Sequence, residues 1–145
     1  PLKAYDDLST FKLYALDVGL LRQLSELDAS VLLLSTPGYM EYKGALAENY
    51  VLQSLTAQFQ ASFRYWTSGN KAEVDFLLQY DNHIYPIEVK ADQNVTGKSL
   101  IQYEKLFQPV YRIRYSMLNL KQDGNLINIP LFLADKTKEL LKDKS

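Results

Sequence analysis

Cysteine is absent from this sequence. Its absence excludes a disulfide framework, a cysteine-ligated zinc and a thiol nucleophile. Histidine occurs once, as His83, so a histidine-rich metal cage cannot be assembled. With no second histidine or cysteine as co-ligand, His83, beside a turn signal, is expected at the surface. No apolar run approaches the roughly 20 residues that span a bilayer, and Val31-Leu32-Leu33-Leu34 is far too short. Net charge is nearly absent too, at −1 from 16 basic and 17 acidic residues. A strongly basic nucleic-acid binder looks different. The start, Pro1-Leu2-Lys3, carries no signal-peptide pattern, so the expectation is a piece of a longer cytoplasmic protein.

What is present is a globular composition, 47% hydrophobic and 23% charged, in a chain of 145 residues, the size of one ordinary domain. Phe11-Lys12-Leu13-Tyr14 reads as a short strand, and Asp17 can cap a helix carrying Val18, Leu20, Leu21 and Leu24. A second apolar stretch, Val31 to Leu34, stops at Pro37-Gly38, a strong break. Residues 42–59 form the best helix pattern, with Glu48, Leu52, Leu55 and Phe59 on one face. Glu48 is the odd member, because a carboxylate in an apolar stripe is costly if buried without a partner.

Three strand-like runs follow, at 63–67, 72–80 and 83–91. In the second, Val74, Phe76 and Leu78 alternate with Glu73, Asp75, Leu77 and Gln79. The turn signal Asp81-Asn82 folds the third back as a hairpin, with Ile84, Pro86, Glu88 and Lys90 on one face. Residues 99–107 are helical in pattern and end at Pro109. Residues 110–116 and 127–129 read as strands, separated by the turn Asp123-Gly124. Residues 130–141 begin apolar and give way to a lysine-rich end, expected as an exposed helix terminus. The order of elements describes a mixed α/β domain.

The chemistry-bearing residues are Glu48 on the long helix, Asp75 on the second strand run, and Glu88 with Lys90 on the third. Glu88 and Lys90 are two apart, so their side chains leave one strand face. A hairpin sets Asp75 beside them, and a helix packed over the strands can deliver Glu48. Clustered carboxylate oxygens suit Mg²⁺ or Mn²⁺. The plainer reading is a solvated charge at each position, or a Glu88–Lys90 ion pair on an exposed strand. Against that stands the apolar context: Ile87 and Val89 flank Glu88, and Val74 and Phe76 flank Asp75.

Trp66-Thr67-Ser68-Gly69-Asn70-Lys71-Ala72-Glu73-Val74-Asp75-Phe76-Leu77-Leu78, followed by Ile87-Glu88-Val89-Lys90-Ala91, resembles the core of the PD-(D/E)XK nuclease superfamily. More closely, the chain resembles the C-terminal domain of unknown function of prokaryotic AAA-family ATPases. Phe11 to Leu21, Gly44-Ala45-Leu46-Ala47-Glu48-Asn49 and Pro130-Leu131-Phe132-Leu133-Ala134 are similar to further segments of that domain. The resemblance implies a restriction-endonuclease-like mixed sheet flanked by helices. It implies residues 1–40 following an upstream winged-helix and ATPase region, and a nuclease-like domain over 41–145. It places Glu48, Asp75, Glu88 and Lys90 at the catalytic positions, with Asp75, Glu88 and Glu48 as ligands of Mg²⁺ or Mn²⁺. Val74 departs from the motif, which has proline there. The implied partners are the upstream ATPase domain of the same chain and DNA, with no membrane. The resemblance leaves two functions open: metal-dependent phosphodiester hydrolysis or DNA binding, or a catalytically inactive interaction or regulatory module attached to the ATPase.

Other motifs carry less. Gly97-Lys98-Ser99 lacks the first glycine of a phosphate loop, because Asp92 stands there, so it reads as the approach to a helix and no nucleotide is expected. Arg112 and Arg114 share a strand face that is expected to be solvated. Tyrosines in strands, and Trp66, are expected in the core.

Overall fold

A computed structural model describes residues 2–7, 9–24, 37–92 and 95–143 of the chain. Four helices are present among them: α1 (Val18–Leu24), α2 (Pro37–Gln58), α3 (Lys98–Phe107) and α4 (Thr137–Lys142). Six strands form one sheet: β1 (Arg64–Thr67), β2 (Glu73–Tyr80), β3 (His83–Val89), β4 (Arg112–Ser116), β5 (Lys121–Asp123) and β6 (Leu126–Pro130). The expected apolar stretch at 31–34 lies outside the described residues.

The sheet order is β1-β2-β3-β4-β6-β5. The first three strands are antiparallel, β3, β4 and β6 run parallel, and β5 returns antiparallel on β6. This is the expected mixed sheet flanked by helices. The β2–β3 hairpin turns at Asp81 and Asn82, whose φ angles of 49° and 60° are the left-handed pair of a two-residue turn. Asn tolerates that region better than most residues, which is why the signal was readable.

α2 covers one face of the sheet. Ala47, Val51, Leu55 and Phe59 are buried against Phe76, Leu78, Ile87, Val89 and the inner residues of β4 and β6. Leu55 and Phe59 are buried as the sequence pattern indicates, but in the N-terminal half the stripe runs through Ala47 and Val51, one residue before Glu48 and Leu52, and Glu48 sits at its flank, only half-buried. α2 also starts at Pro37, where the sequence pattern indicates a break. A proline in the first helical turn costs nothing, since its missing amide would have no partner there. α2 thus runs across residue 40. At its other end, Gln58 Nε2 donates to Ala134 O at 2.7 Å, and Lys138 Nζ donates to Gln58 O at 3.1 Å. Lys138 accordingly caps a helix end, whereas the sequence reads the lysine-rich terminus as wholly exposed.

α3 covers the other face with fewer apolar groups: Leu100 and Tyr103 pack with Val74, Leu77 and Trp66. Trp66 meets Tyr103 edge-on at 5.3 Å. Val74 falls with Leu77, not with Phe76 and Leu78 as strict alternation requires. The cause is an irregularity in the β1–β2 ladder: Arg64 pairs with Leu77 but Trp66 pairs with Val74. β2 carries one extra residue in that interval, and Asp75 lies within it.

Two further expectations change. Residues 11–15 form no strand; Phe11 and Leu13 face solvent, while Lys12 and Tyr14 turn inward. Arg112 and Arg114 are half-buried and internally bonded: Arg112 to Glu104 at 3.0 Å, and Arg114 to Asn128 Oδ1 at 3.0 Å and Val95 O at 2.9 Å. Their donors are committed to the fold and are not a solvated face. His83 is exposed beside its turn, as expected.

Candidate functional site

β2 and β3 pair from Tyr80–His83 as far as Phe76–Ile87. The next residue on each strand is Asp75 and Glu88, so the ladder ends where the two carboxylates begin. In place of a backbone carbonyl, Asp75 Oδ2 accepts the Val89 N–H at 2.7 Å. The β-bulge makes this possible, by freeing Asp75 from regular alternation.

Asp75 is largely removed from water. Burial, the field of Glu48 and, more weakly, that of Glu88 push its carboxyl up, while the Val89 N–H and Lys12 oppose them; the outcome is about 7. Asp75 therefore feels both other acids that the sequence singles out. Among the described residues it has no ion-pair partner.

Glu88 is only 2% exposed. Lys90 Nζ lies 3.1 Å from its Oε1, as their shared strand face requires. Its Oε2 is buried with no hydrogen-bond partner. Gly97, just before α3, lies against that oxygen: a Cβ there would stand 3.2 Å from Glu88 Oε2. The Gly97-Lys98-Ser99 segment is thus the approach to a helix, with α3 starting at Lys98.

Glu48 is reached from the segment before α1. The Tyr14 hydroxyl donates to Glu48 Oε2 at 3.2 Å, and Ala15 N–H donates to Asn49 Oδ1 at 2.8 Å. Burial first, then Glu48, raises the Tyr14 pKa far above its ordinary value, so the hydroxyl stays a donor. Lys12 pairs with Glu73. Burial opposes its charge, but the Glu73 hydrogen bond and the fields of Glu48, Asp75 and Glu73 outweigh it and hold the amine above its usual value. A cleft of about 240 Å³ is lined by Lys12, Tyr14, Glu48 and Asn49. Sequence reasoning missed Lys12 and Tyr14 because the segment reads as an ordinary short strand. The one available signal was that its inward alternates, if turned, are a cation and a hydroxyl.

The donor set is all oxygen, and one buried oxygen lacks a partner; both features suit a hard divalent cation. Asp75, Glu88 and Glu48 would hold it. As they stand, no three His, Asp or Glu side chains among the described residues are grouped closely enough to hold an ion.

A six-stranded mixed sheet flanked by helices, with Asp75 and Glu88 where the β2–β3 ladder ends, defines an α/β domain. Residues 43–132 match the family described as Domain of unknown function (DUF4143), and the chain belongs to that family. No curated protein and no solved structure matches the chain.

Proposed function

We propose that this chain is a restriction-endonuclease-like domain that holds Mg²⁺ or Mn²⁺ at Asp75, Glu88 and Glu48 and hydrolyses phosphodiester bonds of DNA. It serves an AAA-family ATPase of which it is the C-terminal part. The observation that carries this reading is the meeting of Asp75 with the fields of both Glu48 and Glu88, beside a Glu88 oxygen with no partner. A bound cation would supply Lewis-acid polarisation of the phosphate and a water of lowered pKa. The chain's own groups divide the remaining work. Asp75, fixed by the Val89 N–H, and Glu88, fixed by Lys90, present carboxylate oxygens from rigid strands. The Lys90 side chain is 34% exposed, and its amine would orient an attacking water or meet charge developing on the phosphate.

A second reading is an inactive interaction module attached to the ATPase, and one contact favours it. Lys90 already neutralises Glu88, which makes the pair self-sufficient without a metal. Fold likeness alone decides nothing between the two. Cleavage of plasmid and of linear DNA in Mn²⁺, by the parent and by Asp75→Asn and Lys90→Met, separates them. Hydrolysis by the parent that both substitutions abolish supports the nuclease. Absence of cleavage by a parent that binds Mn²⁺ supports the module.

A further inference from the structure

Residues 10–16 cross the edge of the acidic site as a strap with an unusual orientation. Phe11, Leu13 and Leu16 are 75%, 85% and 85% exposed, while the polar alternates face inward. The inner contacts are few and mostly polar. Lys12 pairs with Glu73 and lies 5.3 Å from the centre of the Tyr65 ring. The Tyr14 hydroxyl reaches Glu48 at 3.2 Å, its ring lies 5.6 Å from that of Phe76, and Ala15 N–H reaches Asn49. A strap held this way, with its large apolar groups outward, opens at low cost compared with the sheet beneath it. The cleft under it keeps a buried Asn49 Nδ2 with no partner, so the strap is not closely packed there.

We propose that this strap is an internal gate on the metal site, with Lys12 acting as a resident counter-charge that a divalent cation must overcome. The inference rests on the metal-site reading above. The Lys12 ammonium is the positive charge that both Glu48 and Asp75 feel from the strap. Tyr14 ties up an oxygen of Glu48 that a cation would use. A cation at the three carboxylates repels Lys12 by Coulomb's law and competes with Tyr14 for Glu48, so binding loosens the strap. Linkage makes the converse hold: opening the strap tightens cation binding by the factor by which binding favours opening, and removing the Lys12 charge separately lifts the repulsion. A strap that only completes the fold would show the charge effect of Lys12 but no loosening when the cation binds.

Mn²⁺ binding, measured by calorimetry on the whole chain, tests this without reference to DNA cleavage. Parent, Lys12→Met, Lys12→Arg, Tyr14→Phe and Asp75→Asn are compared at low salt and neutral pH. The expected result is about tenfold tighter binding in Lys12→Met, a smaller gain in Tyr14→Phe, and parent affinity in Lys12→Arg, which keeps the charge. A second readout needs no variant: saturating Mn²⁺ should speed chymotryptic cleavage of the parent within residues 10–16, several-fold at limiting protease. Equal Mn²⁺ affinity in parent and Lys12→Met, with binding lost in Asp75→Asn, overturns the gate and leaves the metal site standing. So does strap cleavage that Mn²⁺ leaves unchanged or slows. Absence of Mn²⁺ binding in every protein, Lys12→Met included, overturns both the gate and the metal site.

Discussion

Asp75 and Glu88 occupy matching places at the open end of one hairpin, yet the fold deals with their charges by different means. Glu88 is enclosed to 2% exposure and is given a lysine from its own strand, two residues on. Asp75 is buried and faces the field of Glu48, with the Val89 N–H and, more weakly, Lys12 opposing them, so its carboxyl is pushed up to about 7. Burial and the field of Glu48 raise Asp75, which has no ion-pair partner among the described residues, whereas Glu88 is paired directly with an amine. The contrast also shows where the site has spare capacity. Glu88 keeps one oxygen unbonded and Asp75 has no ion-pair partner among the described residues, and both deficits would be met by one added positive charge.

The largest test of the contrast is the pH dependence of stability. Asp75 titrates in the folded chain near 7, above its ordinary 3.8. The folded state therefore binds the extra proton between those values, so its contribution is full below about pH 4 and is lost as pH rises through 7. Urea unfolding should show stability falling over that window by no more than about 4 kcal/mol, and Asp75→Asn should flatten the profile and raise stability at pH 8. Next comes Lys90→Met. It leaves the buried Glu88 without its ion-pair partner, at a cost of about 3 kcal/mol by urea unfolding at pH 8. Glu88→Gln should stay within about 1 kcal/mol of the parent, and adding it to Lys90→Met should restore most of the loss. Equal effects of the two single substitutions would remove the asymmetry between them. The smallest pair lies in the strap. Tyr14→Phe should cost about 1 kcal/mol for the lost bond to Glu48, whereas Leu13→Ser, at an 85% exposed position, should change the melting midpoint very little.

Much of the hairpin was legible because its signals are local. Asp81-Asn82 marked the turn, and the spacing of Glu88 and Lys90 put both on one face, where they form an ion pair. Asp75 and Glu88 were singled out by the order of motifs along the chain, and the structure sets them next to one another where the β2–β3 ladder ends. What could not be read depends on partners distant in sequence. The extra residue at Asp75 is defined by the register of β1, and it moved Val74 to the opposite cluster. Arg112 and Arg114 looked like a solvated pair because their acceptors, Asn125, Asn128 and Val95 O, come from other segments. Pro37 was read as a stop because a proline that opens a helix and one that ends it look alike without a neighbour to decide. Lys12 and Tyr14 face inward because α2 and β2 offer carboxylates there, a fact no periodicity contains.

The most direct measurement is a calorimetric titration of Mn²⁺ into the parent at pH 6 and pH 8, beside Asp75→Asn. If Asp75 supplies an ionised oxygen to a divalent cation, the parent binds more tightly at pH 8 than at pH 6, with proton release, and Asp75→Asn loses the binding. Parent and Asp75→Asn curves that coincide at both pH values would contradict it.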